Sequence, residues 1–235
     1  MVKYFASTSF FIKGMATVSL ALISAHYAVA APAPAPLSAV MTYESMTITA
    51  EGVKKQTQFQ EKFIRDANVV WSERIIGKTA QQHAHEAEED HEHNLNFATA
   101  AKWLVKDANN QIKFRFVRES EKKIIEPRVT EYGTLGFNGE WETAYYLVNR
   151  DAMKKMTELK QQAPAGAIWY EKKNTEEFTR VLWDEKNQVP LSIESGRFDG
   201  TMDNKITIAL TSAPAKLPWN TINSYQTIAY EDLLD

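Results

Sequence analysis

Cysteine is absent from all 235 residues. That removes disulfides, thiolate metal ligands, a cysteine nucleophile and the acceptor for a bacterial lipoprotein anchor. Long apolar runs are scarce as well. Residues 15–25 (MATVSLALISA) form an apolar stretch of 11 residues, well short of the roughly 20 that a helix needs to cross a bilayer. An excess of positive charge is also missing: 27 Lys and Arg stand against 30 Asp and Glu, a net charge of −3, which argues against nucleic acid as the partner. No glycine-rich phosphate loop or dinucleotide fingerprint occurs, and His85-Glu86 is followed by Glu89 where a zinc-protease motif requires a second histidine. Glu131 and Glu140 flank a glycine-punctuated loop, EYGTLGFNG, and are read as surface charges rather than as an acid–base pair. The chain is expected not to be an enzyme.

What is present begins with an export signal. Lys3 and Lys13 make the start basic, no acid occurs before Glu44, and the apolar stretch leads to Ala28-Val29-Ala30, a small-x-small cleavage site. Residues 1–30 are therefore expected to be a signal peptide cut after Ala30, which places the mature chain in the periplasm; an uncleaved N-terminal anchor is the alternative. Cleavage moves the net charge from −3 to −5 and leaves no integral membrane segment. Residues 31–40, opening on APAPAP, read as a stiff tether, and residues 41–235 as a single β-rich domain.

Along that domain the pattern is mostly strand-like. In residues 53–64, Val53, Thr57, Phe59 and Phe63 share one face while Lys54, Gln56, Gln58 and Gln60 share the other. Residues 43–50, 69–76, 112–118, 122–129, 167–173, 177–184, 189–195 and 205–210 read as further strands. Helices are expected over residues 97–105, 141–148, 151–159 (capped by Asn149) and 218–235. About nine strands and three or four short helices result. The fold class is α+β: a mainly antiparallel curved sheet with a few short helices on one side. Trp141, Tyr145 and Tyr146 are read as core, and the Lys154-Lys155 and Lys172-Lys173 pairs as solvated.

One hairpin carries a resemblance. Thr179-Arg180-Val181-Leu182-Trp183-Asp184, a turn, and then Val189-Pro190-Leu191-Ser192-Ile193-Glu194 resembles an element of the outer-membrane lipoprotein carrier-like proteins of the LolA and MucB/RseB type. The resemblance covers about a tenth of the chain and implies an antiparallel half-barrel whose hollow suits an acyl chain or an exposed peptide. A lipid, or a periplasmic or membrane protein, is thus an expected partner. No functional residue of those families is carried over.

The remaining signal is a concentration of imidazoles. Beyond residue 30 every histidine lies in one window: His83, His85, His91 and His93, interleaved with Glu86, Glu88, Glu89, Asp90 and Glu92. Two His-x-His pairs in extended chain each place both rings on one side, and neutral imidazole is the common nitrogen ligand for transition metals. The His/Glu-rich loop at residues 77–94 is therefore expected to capture, buffer or sense a divalent metal ion, Zn²⁺ or Cu²⁺; a merely solvated polar loop is the bland alternative.

Overall fold

The computed structural model describes residues 35–77, 97 and 99–233, all within one compact unit, Ala33–Asp235. The expected signal peptide lies outside the described residues. Twelve strands form one open, curved sheet in the order β12-β6-β5-β4-β3-β2-β1-β11-β10-β9-β8-β7. Every neighbouring pair is antiparallel except β12 against β6. The centre is built from the two longest strands, β1 (Leu37–Ile48) and β2 (Lys54–Asp66), paired along their whole length. On one side follow β3 (Val69–Ile75), β4 (Ala101–Lys106), β5 (Ile112–Arg118), β6 (Lys123–Glu126) and β12 (Gln226–Ala229). On the other lie β11 (Met202–Thr211), β10 (Val189–Arg197), β9 (Glu177–Asp184), β8 (Ala167–Lys173) and β7 (Thr157–Leu159).

The period-two alternation decides which side chains meet. On the inner face Leu37, Ala39 and Met41 of β1 join Phe63, Val70, Leu104, Phe114, Phe116, Ile125, Val181, Trp183, Val189 and Ile208 in the main core. Two short helices, α1 (Trp141–Tyr146) and α2 (Arg150–Met153), cover that face with Tyr145, Tyr146 and Met153. A smaller cluster of Ile64, Trp71, Ala101, Val117, Ile124 and Ile222 closes part of the outer face. The sheet is thus covered on both sides along β3–β6, so those strands lack a clean polar alternation.

Several expectations are corrected here. Residues 97–105 are not a helix: β4 occupies Ala101–Lys106 and is paired on both edges. Its residues alternate between two buried faces, with Leu104 in one core and Ala101 in the other, and the resulting apolar spacing imitates a helical stripe. The expected helix over 151–159 ends at Met153, and Thr157–Leu159 instead adds β7 to the edge of β8. Asn149 does cap α2, accepting the Ala152 N–H at 2.9 Å. Residues 218–235 are not helical as a whole. A single 3-10 turn, Pro218–Asn220, leads to β12, and a second one, Glu231–Leu233, follows it. Trp219, Ile222 and Tyr225 pack on the outer face, while Ile228, Tyr230 and Leu233 pack on the inner one. The chain therefore crosses the sheet edge, which no helix with one apolar stripe could do. The expected tether to residue 40 is shortened, since β1 already begins at Leu37.

Pro190 shows how sequence punctuation survives inside a sheet. It sits in β10, an interior strand, where it cannot donate to the ladder. The register against β9 shifts between Pro190 and Ser192, so a bulge absorbs the missing donor.

Candidate functional site

The glycine-punctuated loop, most of whose residues are exposed, sends two rings, Tyr132 and Phe137, into the core as a plug. Its backbone folds on itself, with the Phe137 N–H bonded to the Tyr132 carbonyl at 2.8 Å and the Gly136 N–H to the Gly133 carbonyl at 3.2 Å. Gly136 takes φ +84°, a left-handed conformation that a side chain would resist. The turn drives Tyr132 and Phe137 onto Phe114, at ring separations of 5.5 and 5.3 Å. β6 pairs only with residues 116–118 of β5, and the Tyr132 hydroxyl serves the uncovered edge beyond. It accepts from the Phe114 N–H at 3.2 Å and donates to the Ile112 carbonyl at 3.3 Å.

Beside the plug, α1 lies over the sheet and stops at Leu147, whose φ of 63° is left-handed. That conformation costs a residue with a Cβ about 1 kcal/mol. Between this cover and the strands lies a hollow of about 490 Å³. Its floor and walls are apolar: Met41, Phe63, Val70, Leu104, Phe114 and Phe137, with Ala144 and Leu147 of the cover opposite. Polar groups stand at its rim. Tyr43 donates its hydroxyl to Glu61 at 3.2 Å and stacks on Phe59 at 4.5 Å. Burial, and after it the Glu61 carboxylate, pushes the Tyr43 hydroxyl above the ordinary phenol pKa. Thr143 donates to Glu140 at 3.0 Å, and Ser72, Lys102 and Asn138 complete the rim.

The cover is tied down by Arg65, which has no solvent exposure at all. Arg65 lies on the Phe63 side of β2, and its Nη1 donates to the Tyr145 carbonyl of α1 at 2.9 Å and to the Gln188 carbonyl at 3.0 Å. Its Nη2 donates to the Asn187 carbonyl at 2.5 Å. A cation placed at the carbonyl end of a helix is also favourably set against the helix dipole. The guanidinium packs near the Tyr145 and Tyr146 rings, 4.9 and 5.2 Å from their centroids. Burial lowers its pKa from the ordinary arginine value, which the two tyrosines partly oppose. Arg150 adds a second tie, gripping Glu142 at 2.8 and 3.1 Å while lying 3.6 Å over the Tyr146 ring.

Two other depressions differ in chemistry. One of about 680 Å³ lies on the outer face. There the register places Gln58, Glu44, Lys205, Glu194, Arg180 and Glu171 side by side across neighbouring strands. Its charges alternate in sign and neutralise one another, as in the Lys205–Glu194 contact at 3.5 Å, so this is a solvated face rather than a receptor. The second, about 420 Å³, is lined by Trp71, Ala101, Val117 and Ile222 with Lys62, Glu73, Arg74 and Lys216 around them.

The expected metal ligands His83, His85, His91 and His93 lie outside the described residues. Among the described residues no group of three or more His, Asp or Glu is placed to hold a metal ion. Glu131 accepts the Arg128 N–H at 2.7 Å, and Glu140 accepts from the Thr143 hydroxyl. Tyr145 and Tyr146 are core, as their spacing implied, and Trp141 packs against them half-buried. Arg65 carried no signal that sequence reasoning used, because an arginine in an alternating strand reads as a solvated residue.

Among solved structures, similarity extends to an uncharacterised conserved protein from Thermus thermophilus, at TM-score 0.39 and 8% identity over 83% of this chain and 91% of that one. A domain assigned to outer membrane lipoprotein sorting from Vibrio parahaemolyticus is similar at TM-score 0.31 and 10% identity, over 80% and 89% of the two chains. A DUF1329 family protein from Desulfovibrio piger follows at TM-score 0.22 and 9% identity, over 81% and 91%. No family model and no curated protein matches the chain. The open, mostly antiparallel sheet with short helices is the architecture the sequence led us to expect.

Proposed function

We propose that this protein is a carrier or binding protein that shelters an apolar chain in the hollow of its inner face. The observation that supports this reading is the hollow itself: about 490 Å³, apolar inside and polar at the rim, lying under a helix and a loop rather than under sheet. That volume is within the range of small-molecule sites, roughly 300–1,000 Å³. The acyl chain of a lipid is the occupant we favour, with an apolar segment of a partner peptide as the alternative. The signal-type leader agrees with work outside the cytoplasm, and among the described residues no helix is long and apolar enough to cross a membrane. This is the reading of a binding protein, not of an enzyme.

Native mass spectrometry of protein purified without detergent, together with displacement of an apolar fluorescent dye by lipids, tests the reading. Ala144→Phe fills the hollow from the cover. It is expected to weaken dye binding at least several-fold while thermal unfolding stays cooperative. Unchanged dye binding in that variant would move the ligand elsewhere. The histidine cluster between β3 and β4 supports a second, compatible reading, capture of Zn²⁺ or Cu²⁺ by His83, His85, His91 and His93, which rests on sequence alone.

A further inference from the structure

Lys102 is an odd residue to find at the hollow. It stands on β4 with Ser72 of β3 on one side and Phe116 of β5 on the other, and it lines the same space as Phe63, Leu104 and Phe114. The two carboxylates of that lining each hold a hydrogen bond within the protein: Glu61 accepts from the Tyr43 hydroxyl, and Glu140 from Thr143. Lys102 has no such partner among the described residues. Other lysines close to the sheet are matched, as in Lys62–Glu73 at 3.1 Å and Lys173–Glu171 at 2.8 Å. An ammonium beside an apolar cavity loses hydration, and an anion delivered there offsets that cost.

We propose that Lys102 is a specificity residue that selects amphiphiles with a negatively charged head, a carboxylate or a phosphate, on the chain held in the hollow. The proposal rests on the carrier reading above and adds the chemistry of the head group. The chain lies against Met41, Phe63, Leu104 and Phe114, and the head stays at the rim where Lys102 can donate to it. Glu61 and Glu140 make the rim unfavourable to a head of high negative charge, so a single charge suits it best. The selectivity is electrostatic and half-exposed, so it weakens as salt is raised.

Three probes of equal chain test this: dodecanoate, dodecanoyl lysophosphatidylglycerol and monododecanoylglycerol, each titrated into the full chain below its aggregation concentration. The first two are anionic and the third is uncharged. The wild-type protein is expected to bind both anions about tenfold more tightly than the glyceride, the worth of one charge-assisted contact. Lys102→Gln should reduce that preference to about twofold or less, leaving the affinity for the glyceride in place, and Lys102→Arg should restore the preference. The tighter of the two anions identifies a fatty carboxylate or a phospholipid as the source. Equal binding of all three by the wild type, or an equal loss for all three in Lys102→Gln, would overturn the role of Lys102 while the carrier reading stands. No binding of any probe by the wild type would remove the carrier reading, and this proposal with it.

Discussion

Replacing Arg65 by Met removes a buried group of β2 that bonds to both α1 and the β9–β10 turn. Three backbone carbonyls, those of Tyr145, Asn187 and Gln188, lose their donor at once. Hydrogen bonds to a charged group contribute about 1.5–3 kcal/mol each, so the gross loss is about 4–9 kcal/mol. Part of it is returned, because Met avoids the desolvation of a buried guanidinium, which costs several kcal/mol. Met also keeps most of the stem's volume, so little cavity forms. The net loss is expected at about 3–5 kcal/mol, because three carbonyls are each left without a donor. Equilibrium urea denaturation, followed by tryptophan fluorescence, gives the number. The midpoint should fall with little change in slope. Arg65→Lys should recover only part, since one ammonium cannot fork to carbonyls on two separate elements. A loss below about 1 kcal/mol for Arg65→Met would refute the reasoning, because the carbonyls would then have found other donors.

Three more outcomes follow from the sequence and the packing. Gly196→Ala puts a Cβ 2.8 Å from the Met202 carbonyl oxygen and 3.0 Å from the Phe178 ring. Because the nearest atom is backbone, a loss of about 1–3 kcal/mol is expected in thermal unfolding, and a neutral result would mean the strand yields. Glu171 is buried against Lys173 and Arg180, whose hydrogen bonds hold its carboxyl below the ordinary value of 4.5. Its stabilising contribution is complete above the unfolded value and disappears as pH falls through the lower folded one. Urea midpoints measured from neutral pH downward should therefore fall more steeply in acid for the wild type than for Glu171→Gln, and parallel curves would contradict the assignment. Zn²⁺ or Cu²⁺ titrated into untagged mature protein should bind saturably. Substituting His83, His85, His91 and His93 by Ala should abolish that binding, whereas unaltered binding would end the metal reading.

Strand after strand was legible because the sheet is half-wet where it is central. In β2 the alternation of Phe59 and Phe63 with Gln58 and Gln60 needs no tertiary knowledge. The same rule failed at β4, which is buried on both faces, and at residues 218–233, which pack against both sides of one sheet edge. Propensity and spacing describe a segment facing one environment, and these segments face two. The hollow was legible only in outline, through the resemblance of one hairpin. Its walls come from β1 to β5 and from residues 133–147, far apart in sequence.

The sequence by itself determined the inventory: no cysteine, no long apolar span, four imidazoles in one window, and enough alternating strands for a sheet. It also marked the turns and caps, because Asn149 and the glycine loop act through local backbone geometry that travels with the residue type. Tertiary structure alone decided that Arg65 is a buried tie and that Tyr132 and Phe137 form a plug. It also decided that Lys102 looks into an apolar hollow. Those roles depend on which strands become neighbours, and strand pairing is settled by burial summed over the whole sheet rather than by any one segment.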